Sequence, residues 1–189
     1  MEGYTLYVKN MVCDRCKAAV EHALDELGLK PLSVELGRVV VAAEPDGVLL
    51  DKVRSVLARL GFELLEGRQQ QTVERIKAAI IELVHYSADR PQVNLSDYLS
   101  GRLGMDYSGL SRLFSETTGV TIERYFILQR VERVKELIFY GEMSLGEIAL
   151  ATGYSSVAYL SAQFKSVTGM TPSQFRTLRG DTLKQLDKI

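Results

Sequence analysis

Two thiols stand three residues apart in Asn10-Met11-Val12-Cys13-Asp14-Arg15-Cys16, and they are the only cysteines in the chain. Two cysteines cannot build a disulfide framework, so a close pair reads first as a metal or redox site. With the first thiol on a loop and the second opening a helix, both can face one point. The helix N-terminus, Arg15 and Lys17 favour the thiolates, and Asp14 works against them. Two thiolates suffice for a two-coordinate soft ion such as Cu(I) or Hg(II), whereas Zn(II) takes four ligands. The histidines do not complete a zinc set: His22 lies six residues beyond Cys16, nearly two helical turns away, and His85 reads as an end-of-helix or packing residue. Zinc therefore requires ligands shared between subunits. A regulatory disulfide between Cys13 and Cys16 and a purely structural use of the module stay open beside metal binding.

The elements around this loop follow from periodicity. Tyr4, Leu6 and Val8 alternate with Thr5, Tyr7 and Lys9, the period of a two-faced strand. A helix is expected from about Cys16 to Leu27, with Val20, Ala23, Leu24 and Leu27 on one stripe and Gly28 as its stop. Leu32–Leu36 and Arg38–Ala43 flank Gly37 as a hairpin. Asp46 caps a second helix whose apolar face is Leu49, Val53, Val56, Leu57 and Leu60, and Phe62–Leu65 closes with a short strand. The order is β-α-β-β-α-β, a ferredoxin-like α+β arrangement.

The run Leu64–Thr72 ends this pattern, and Gly67 with the following glutamines makes a short linker or a lead-in to a helix. Everything beyond reads as helix punctuated by Gly, Pro, Ser and Asn. Val73–Ser87 is a leading helix. Two segments of about 50 residues then repeat one plan of helix, Gly-containing turn and helix. The first runs from Asn94 through Gly104-Met105-Asp106 into Tyr107–Thr118, stopped by Gly119. The second opens on a Ser144/Glu147 capping box, turns at Gly153-Tyr154-Ser155 and continues over Val157–Thr168 to Gly169. One long helix, Ile122–Tyr140, separates them, with Tyr125, Phe126, Leu128, Val131, Val134, Leu137 and Ile138 facing inward. Thr171-Pro172-Ser173-Gln174 starts a further helix. The second domain is thus all-α with two helix-turn-helix units. The division is 1–67 and 68–189.

Both halves carry motifs of known families. Met11-Val12-Cys13-Asp14-Arg15-Cys16 on a β-α-β-β-α-β chain resembles, over residues 3–66, the heavy-metal-associated domain of copper chaperones and metal-transporting ATPases. That resemblance implies that Cys13 and Cys16 bind Cu(I) or another soft ion, that Met11 packs beneath the loop and that Phe62 lies near the metal. Asn10 stands where the family has Gly, and Val12 where it has Thr or Ser. The strings Leu110-Ser111-Arg112-Leu113-Phe114, Thr118-Gly119-Val120-Thr121, Gln129-Arg130-Val131, Glu147-Ile148-Ala149, Gln163-Phe164-Lys165 and Thr168 through Arg176 resemble, in order over 72–179, the AraC/XylS family DNA-binding domain. That likeness implies double-stranded DNA as partner, each second helix entering a major groove and the long helix setting two successive grooves. RNA polymerase and a second copy of the chain are further partners the likeness admits. Ser108, Ser111 and Arg112 match base-contacting positions in the first recognition helix, and Val157, Ala158, Ser161 and Ala162 match them in the second. Arg112 suits bidentate guanine contact or a phosphate anchor. The second set is small or apolar, so thymine-methyl contact or DNA shape carries more there. Lys165 and Arg176 are placed to touch phosphates, and Ser155 or Ser156 to cap the helix and contact the backbone. Leu110, Phe114, Ile148, Ala149, Leu160 and Phe164 are core.

Composition narrows the function. With 46% hydrophobic and 25% charged residues a mainly disordered chain is excluded. Apolar runs fall far short of a membrane span, and the first residues do not resemble a secretory signal, so a cytoplasmic protein is expected. The net charge of −1 hides an asymmetry: residues 1–67 hold 8 Lys+Arg against 11 Asp+Glu, and 68–189 hold 15 against 13. No nucleophile triad, carboxylate pair or phosphate loop stands out, so no enzyme is expected. The expectation is a regulator of transcription whose C-x-x-C site answers to a soft metal. The alternative is a metal-independent regulator whose first domain dimerises or binds protein.

Overall fold

The protein, described as a computed structural model, is traced over residues 3–86 and 94–178. Strand β1 (Tyr4–Lys9) buries Leu6 and Val8 and leaves the alternate residues half-buried, as its period dictates. Helix α1 (Asp14–Glu26) starts two residues before the expected position, because Cys13 takes an extended N-cap backbone. Its buried stripe is Val20, Ala23 and Leu24. Strands β2 (Pro31–Glu35) and β3 (Arg38–Val41) form the expected hairpin around Gly37. Helix α2 (Gly47–Arg59) begins where Asp46 accepts the Leu49 N–H at 2.8 Å, and β4 (Glu63–Leu65) follows. Leu60 departs from expectation: it is the C-cap of α2 and 49% exposed, while Val53 and Leu57 carry the buried face.

The four strands form one antiparallel sheet in the order β2-β3-β1-β4. Its core gathers Leu6, Val8, Met11, Val20, Leu24, Val39, Val41, Val53, Leu57 and Phe62, so both helices bury their stripes on the sheet. Each fully buried Val or Leu contributes about 1.5–3 kcal/mol of transfer free energy.

Only Glu66 and Gly67 separate the sheet from the helices that follow. Helix α3 (Arg68–Ile81) begins three residues after β4, and the Gln71 amide donates to the Leu65 carbonyl at 3.0 Å across that join. A five-residue π-helical turn, Glu82–Tyr86, takes over where an unbroken α-helix is expected, and Ser87 lies outside the described residues. Helices α4 (Leu95–Leu103), α5 (Tyr107–Thr118), α6 (Ile122–Tyr140), α7 (Leu145–Ala151) and α8 (Val157–Thr168) match the repeat plan, and a helical segment follows over 172–178. Each of α5, α6 and α8 ends on a left-handed glycine: Gly119, Gly141 and Gly169.

The described residues fall into two compact units that cross the sequence division at 67. One is drawn from Met1–Ile81 and Leu95–Gly119, the other from Glu82–Asn94 and Val120–Ile189. In the first unit α3 packs on β1 as well as on α4 and α5. Leu36, at the β2–β3 turn, is buried with Ala78 and Ile81 of α3. Gly37 supplies the left-handed turn, with φ +73°, and a Cβ there would make ordinary contacts, 3.6 Å from the Val8 carbonyl oxygen and 3.8 Å from the Ala78 Cβ. The Tyr98 hydroxyl of α4 donates to the Ala79 carbonyl at 3.3 Å on the other side of α3. In the second unit Val131, Val134 and Ile138 of α6 pack with Ile148, Ala149, Tyr154, Leu160 and Phe164. Among the described residues no helix is long and apolar enough to cross a membrane.

Candidate nucleic-acid interface and thiol pair

The thiol loop leaves β1 through Asn10, which adopts the left-handed conformation at φ +72°. Glycine is the default there, and asparagine is among the few side chains that tolerate it. Its amide also donates to the Gly61 carbonyl at 3.0 Å, tying the loop to the end of α2. Met11 is buried in the sheet core, Val12 is exposed, and Phe62 sits in the same core cluster as Met11. Cys13 and Cys16 are both half-buried and reduced, with their sulfurs 3.3 Å apart. Burial pushes the Cys16 thiol up, but hydrogen bonds from the backbone at Val12, the Cys13 side chain and the backbone at Cys13 and Cys16 outweigh it. Its pKa therefore lies below the ordinary thiol value. The helix start does this rather than the expected cations: Lys17 Nζ is held 2.9 Å from Asp14 Oδ1. His22 is exposed and faces Glu26 at 3.4 Å. His85 is half-buried between Gln129 at 3.3 Å and Glu136 at 3.4 Å. Among the described residues no cluster of three or more His, Cys, Asp or Glu could hold a metal.

The second helices of the two repeats, α5 and α8, are built alike. Asp106 caps α5, accepting the Gly109 N–H at 3.2 Å and the Ser108 hydroxyl. The Ser108 hydroxyl first, and the Gly109 N–H second, hold its carboxyl below the usual range. Ser156 caps α8, accepting the Tyr159 N–H at 3.1 Å. Leu110 and Phe114, and likewise Leu160 and Phe164, anchor the inner faces. That leaves Ser108 and Arg112 exposed on α5 with Ser111 half-buried, and Val157, Ala158, Ala162 and Lys165 exposed on α8 with Ser161 half-buried. Ser155 and Ser156 are exposed on the turn before α8. Arg176 is half-buried and tied inward by its Nη2, which donates to the Met143 carbonyl at 2.7 Å and braces the start of α7.

Two features are absent from the expectation. Arg130, on the inner side of α6, is only 9% exposed; its Nε donates to the Thr152 carbonyl at 3.0 Å and its guanidinium carbon lies 3.7 Å from the Tyr154 ring centre. It clamps the helix-turn-helix turn onto α6, although burial works against its charge. Tyr159, on the first turn of α8, packs edge-on against Tyr154 at 5.5 Å. In the sequence Arg130 stands in the Gln129-Arg130-Val131 string and as a lone cation inside an otherwise apolar stripe, and neither signals its clamping role.

Two N-capped, Gly-terminated helices that each follow a helix and a short turn make a repeated helix-turn-helix arrangement, and residues 99–178 match the family model of the helix-turn-helix domain. The xylose operon regulatory protein of Escherichia coli (strain K12) is 24% identical over 191 residues, covering 91% of this chain and 49% of that protein. An uncharacterized HTH-type transcriptional regulator of Staphylococcus aureus is 35% identical over 96 residues, 51% of this chain and 12% of that protein. The C-terminal domain of AraT, a response regulator from Geobacillus stearothermophilus, superposes with a TM-score of 0.51 at 26% identity, covering 59% of this chain and 88% of that one. The chain spans about half the length of the xylose regulator that it matches.

Proposed function

We propose that the chain is a sequence-specific, double-stranded-DNA-binding regulator of transcription, acting in the cytoplasm, whose N-terminal half is a ferredoxin-like domain of the heavy-metal-associated type. The observation that carries the reading is the pair of exposed, capped recognition helices within the matched domain. The β1-α1-β2-β3-α2-β4 order and the β2-β3-β1-β4 sheet support the ferredoxin-like part. In this reading Cys13 and Cys16 take up a soft ion and alter DNA binding. Two half-buried thiols at a helix start, one with a lowered pKa, are of the donor type a two-coordinate soft ion such as Cu(I) or Hg(II) takes, and their sulfurs must part from their 3.3 Å contact to admit it. Among the described residues they do not find the further ligands that zinc needs, so zinc would have to borrow them from a second subunit. A bound metal changes DNA affinity only by as much as it prefers one state of the protein over another.

The test begins with DNA enriched by the reduced protein from a random-sequence pool. Cu(I), Hg(II) and Zn(II) are titrated in separate arms while affinity for that DNA is read in parallel. The expected result is a shift in DNA affinity that saturates at one Cu(I) or Hg(II) per chain and is absent in Cys13→Ser/Cys16→Ser. Unchanged DNA affinity at full occupancy leaves a metal-independent regulator, and no enriched sequence removes the DNA-reading function altogether.

A further inference from the structure

The two recognition helices are internal repeats, so they can be compared position by position. Aligning Leu110 with Leu160, Phe114 with Phe164 and Gly119 with Gly169 pairs Ser108 with Ala158, Ser111 with Ser161 and Arg112 with Ala162. It also pairs Gly109 with Tyr159 and Leu113 with Gln163. Where α5 has an arginine, α8 has an alanine. One turn earlier the exchange is reversed, and the glycine of α5 is the tyrosine of α8. Positions three apart on a helix are surface neighbours, so the large polar side chain has moved by one turn on the same side of the helix.

Tyr159 is built to be held still. It is 49% exposed, and its ring packs edge-on against Tyr154 at 72°. Tyr154 is itself buried under the Arg130 guanidinium and donates to Gln163 Oε1 at 2.8 Å. The other end of the same amide, Gln163 Nε2, lies 3.5 Å from the Tyr159 hydroxyl. Gln163 thus couples both tyrosines, and in α5 the matching residue is leucine with no amide to offer. A tyrosine fixed in this way presents a flat apolar edge and one hydroxyl at little cost in rotamer freedom. The N-terminal residues of a recognition helix are those that meet base edges.

We infer that Tyr159 is the principal sequence-reading residue of α8, taking there the part that Arg112 takes on α5. The inference rests on the proposed DNA-binding function. The two helices then read different chemistry. A guanidinium suits the paired acceptors of guanine, whereas the tyrosine edge beside Val157, Ala158 and Ala162 suits a thymine methyl, with the hydroxyl available to an adjacent base edge. The α5 sub-site is guanine-dependent and the α8 sub-site is thymine-dependent.

The full-length chain and its variants are each offered a random-sequence double-stranded DNA pool, and the enriched sequences are compared. Arg112→Ala is expected to relax base preference at the guanine sub-site. Tyr159→Ala is expected to relax the thymine sub-site by about tenfold, a typical mismatch effect, and to leave the first sub-site intact. Tyr159→Phe keeps the ring and its contact with Tyr154 and is expected to relax the same sub-site by a smaller factor. Tyr159→Ala/Ala162→Arg is expected to gain a guanine preference there. A folded Tyr159→Ala with a wild-type enrichment profile overturns the inference. So does an equal loss on every sequence, which assigns the residue to phosphate. If circular dichroism shows that Tyr159→Ala does not fold, the same two criteria apply to Tyr159→Phe. A wild-type chain that enriches no sequence overturns the DNA-binding function and this inference together.

Discussion

Substituting Gly37 probes whether the sheet and α3 are joined as tightly as the packing implies. The residue sits at φ +73°, a conformation that costs an L side chain about 1–2 kcal/mol. A single added Cβ would meet the Val8 carbonyl oxygen at 3.6 Å, the Ala78 Cβ at 3.8 Å and the Glu74 carbonyl oxygen at 3.9 Å, all ordinary contact distances. Gly37→Ala should therefore cost only the backbone term, about 1–2 kcal/mol. Gly37→Val places two further methyl groups among those same atoms, and overpacking adds about 1–3 kcal/mol. The chain has no tryptophan, so urea unfolding followed by far-UV circular dichroism is the suitable assay. Amide exchange in β3 and α3 should accelerate in the valine variant. The reasoning fails if Gly37→Val unfolds within about 0.5 kcal/mol of wild type, the scatter of an inconsequential surface change. It also fails if alanine costs as much as valine, because then the α3 contact adds nothing.

Three further outcomes are expected. Asn10→Ala should lose both the left-handed tolerance and the bond to Gly61, about 1–2 kcal/mol in urea unfolding, while Asn10→Gly should lose less. Arg130→Lys retains a buried charge but gives up the flat stack on Tyr154 and the Nε–H to Thr152; calorimetry should show a loss of about 1–3 kcal/mol. Asp106 and Glu147 have folded-state pKa values below their unfolded ones, set first by hydrogen bonds to Ser108 and Ser144 respectively. Their contribution is complete above the unfolded carboxylate values, roughly pH 4, and is lost as pH falls through the lower folded ones. The fall in melting temperature below that pH should be shallower in Asp106→Asn/Glu147→Gln.

Local patterns were enough to read most elements. The alternation in Tyr4–Lys9, the cap at Asp46, the Ser144/Glu147 box and the terminal glycines of α5 and α8 all depend on neighbours within a few residues. The thiol pair was legible for the same reason. What escaped depends on distant partners. Leu36, Ala78 and Ile81 meet only after the sheet has formed, so nothing near Gly67 signals that α3 packs on β1. Arg130 is a charge that counting assigns to the surface, yet Tyr154 and the Thr152 carbonyl draw it inside. Leu60 fits the apolar stripe of α2, but the helix ends one residue before it and the side chain turns outward. The bond of Arg176 to the Met143 carbonyl, far away in sequence, escaped for the same reason.

The caps of α5 and α8 differ in charge, and that difference sets their fields. A helix start carries about half a positive elementary charge, concentrated in its first turn. On α5 that charge lies beneath the ionised carboxylate of Asp106, whereas on α8 it lies beneath the neutral hydroxyl of Ser156. Toward a polyanion the start of α8 attracts through its own amides, while α5 must first offset a carboxylate and has Arg112 with which to do so. If the two helices bind DNA as proposed, counterion release, and with it the steepness with which affinity falls on adding salt, is therefore unequally shared between them.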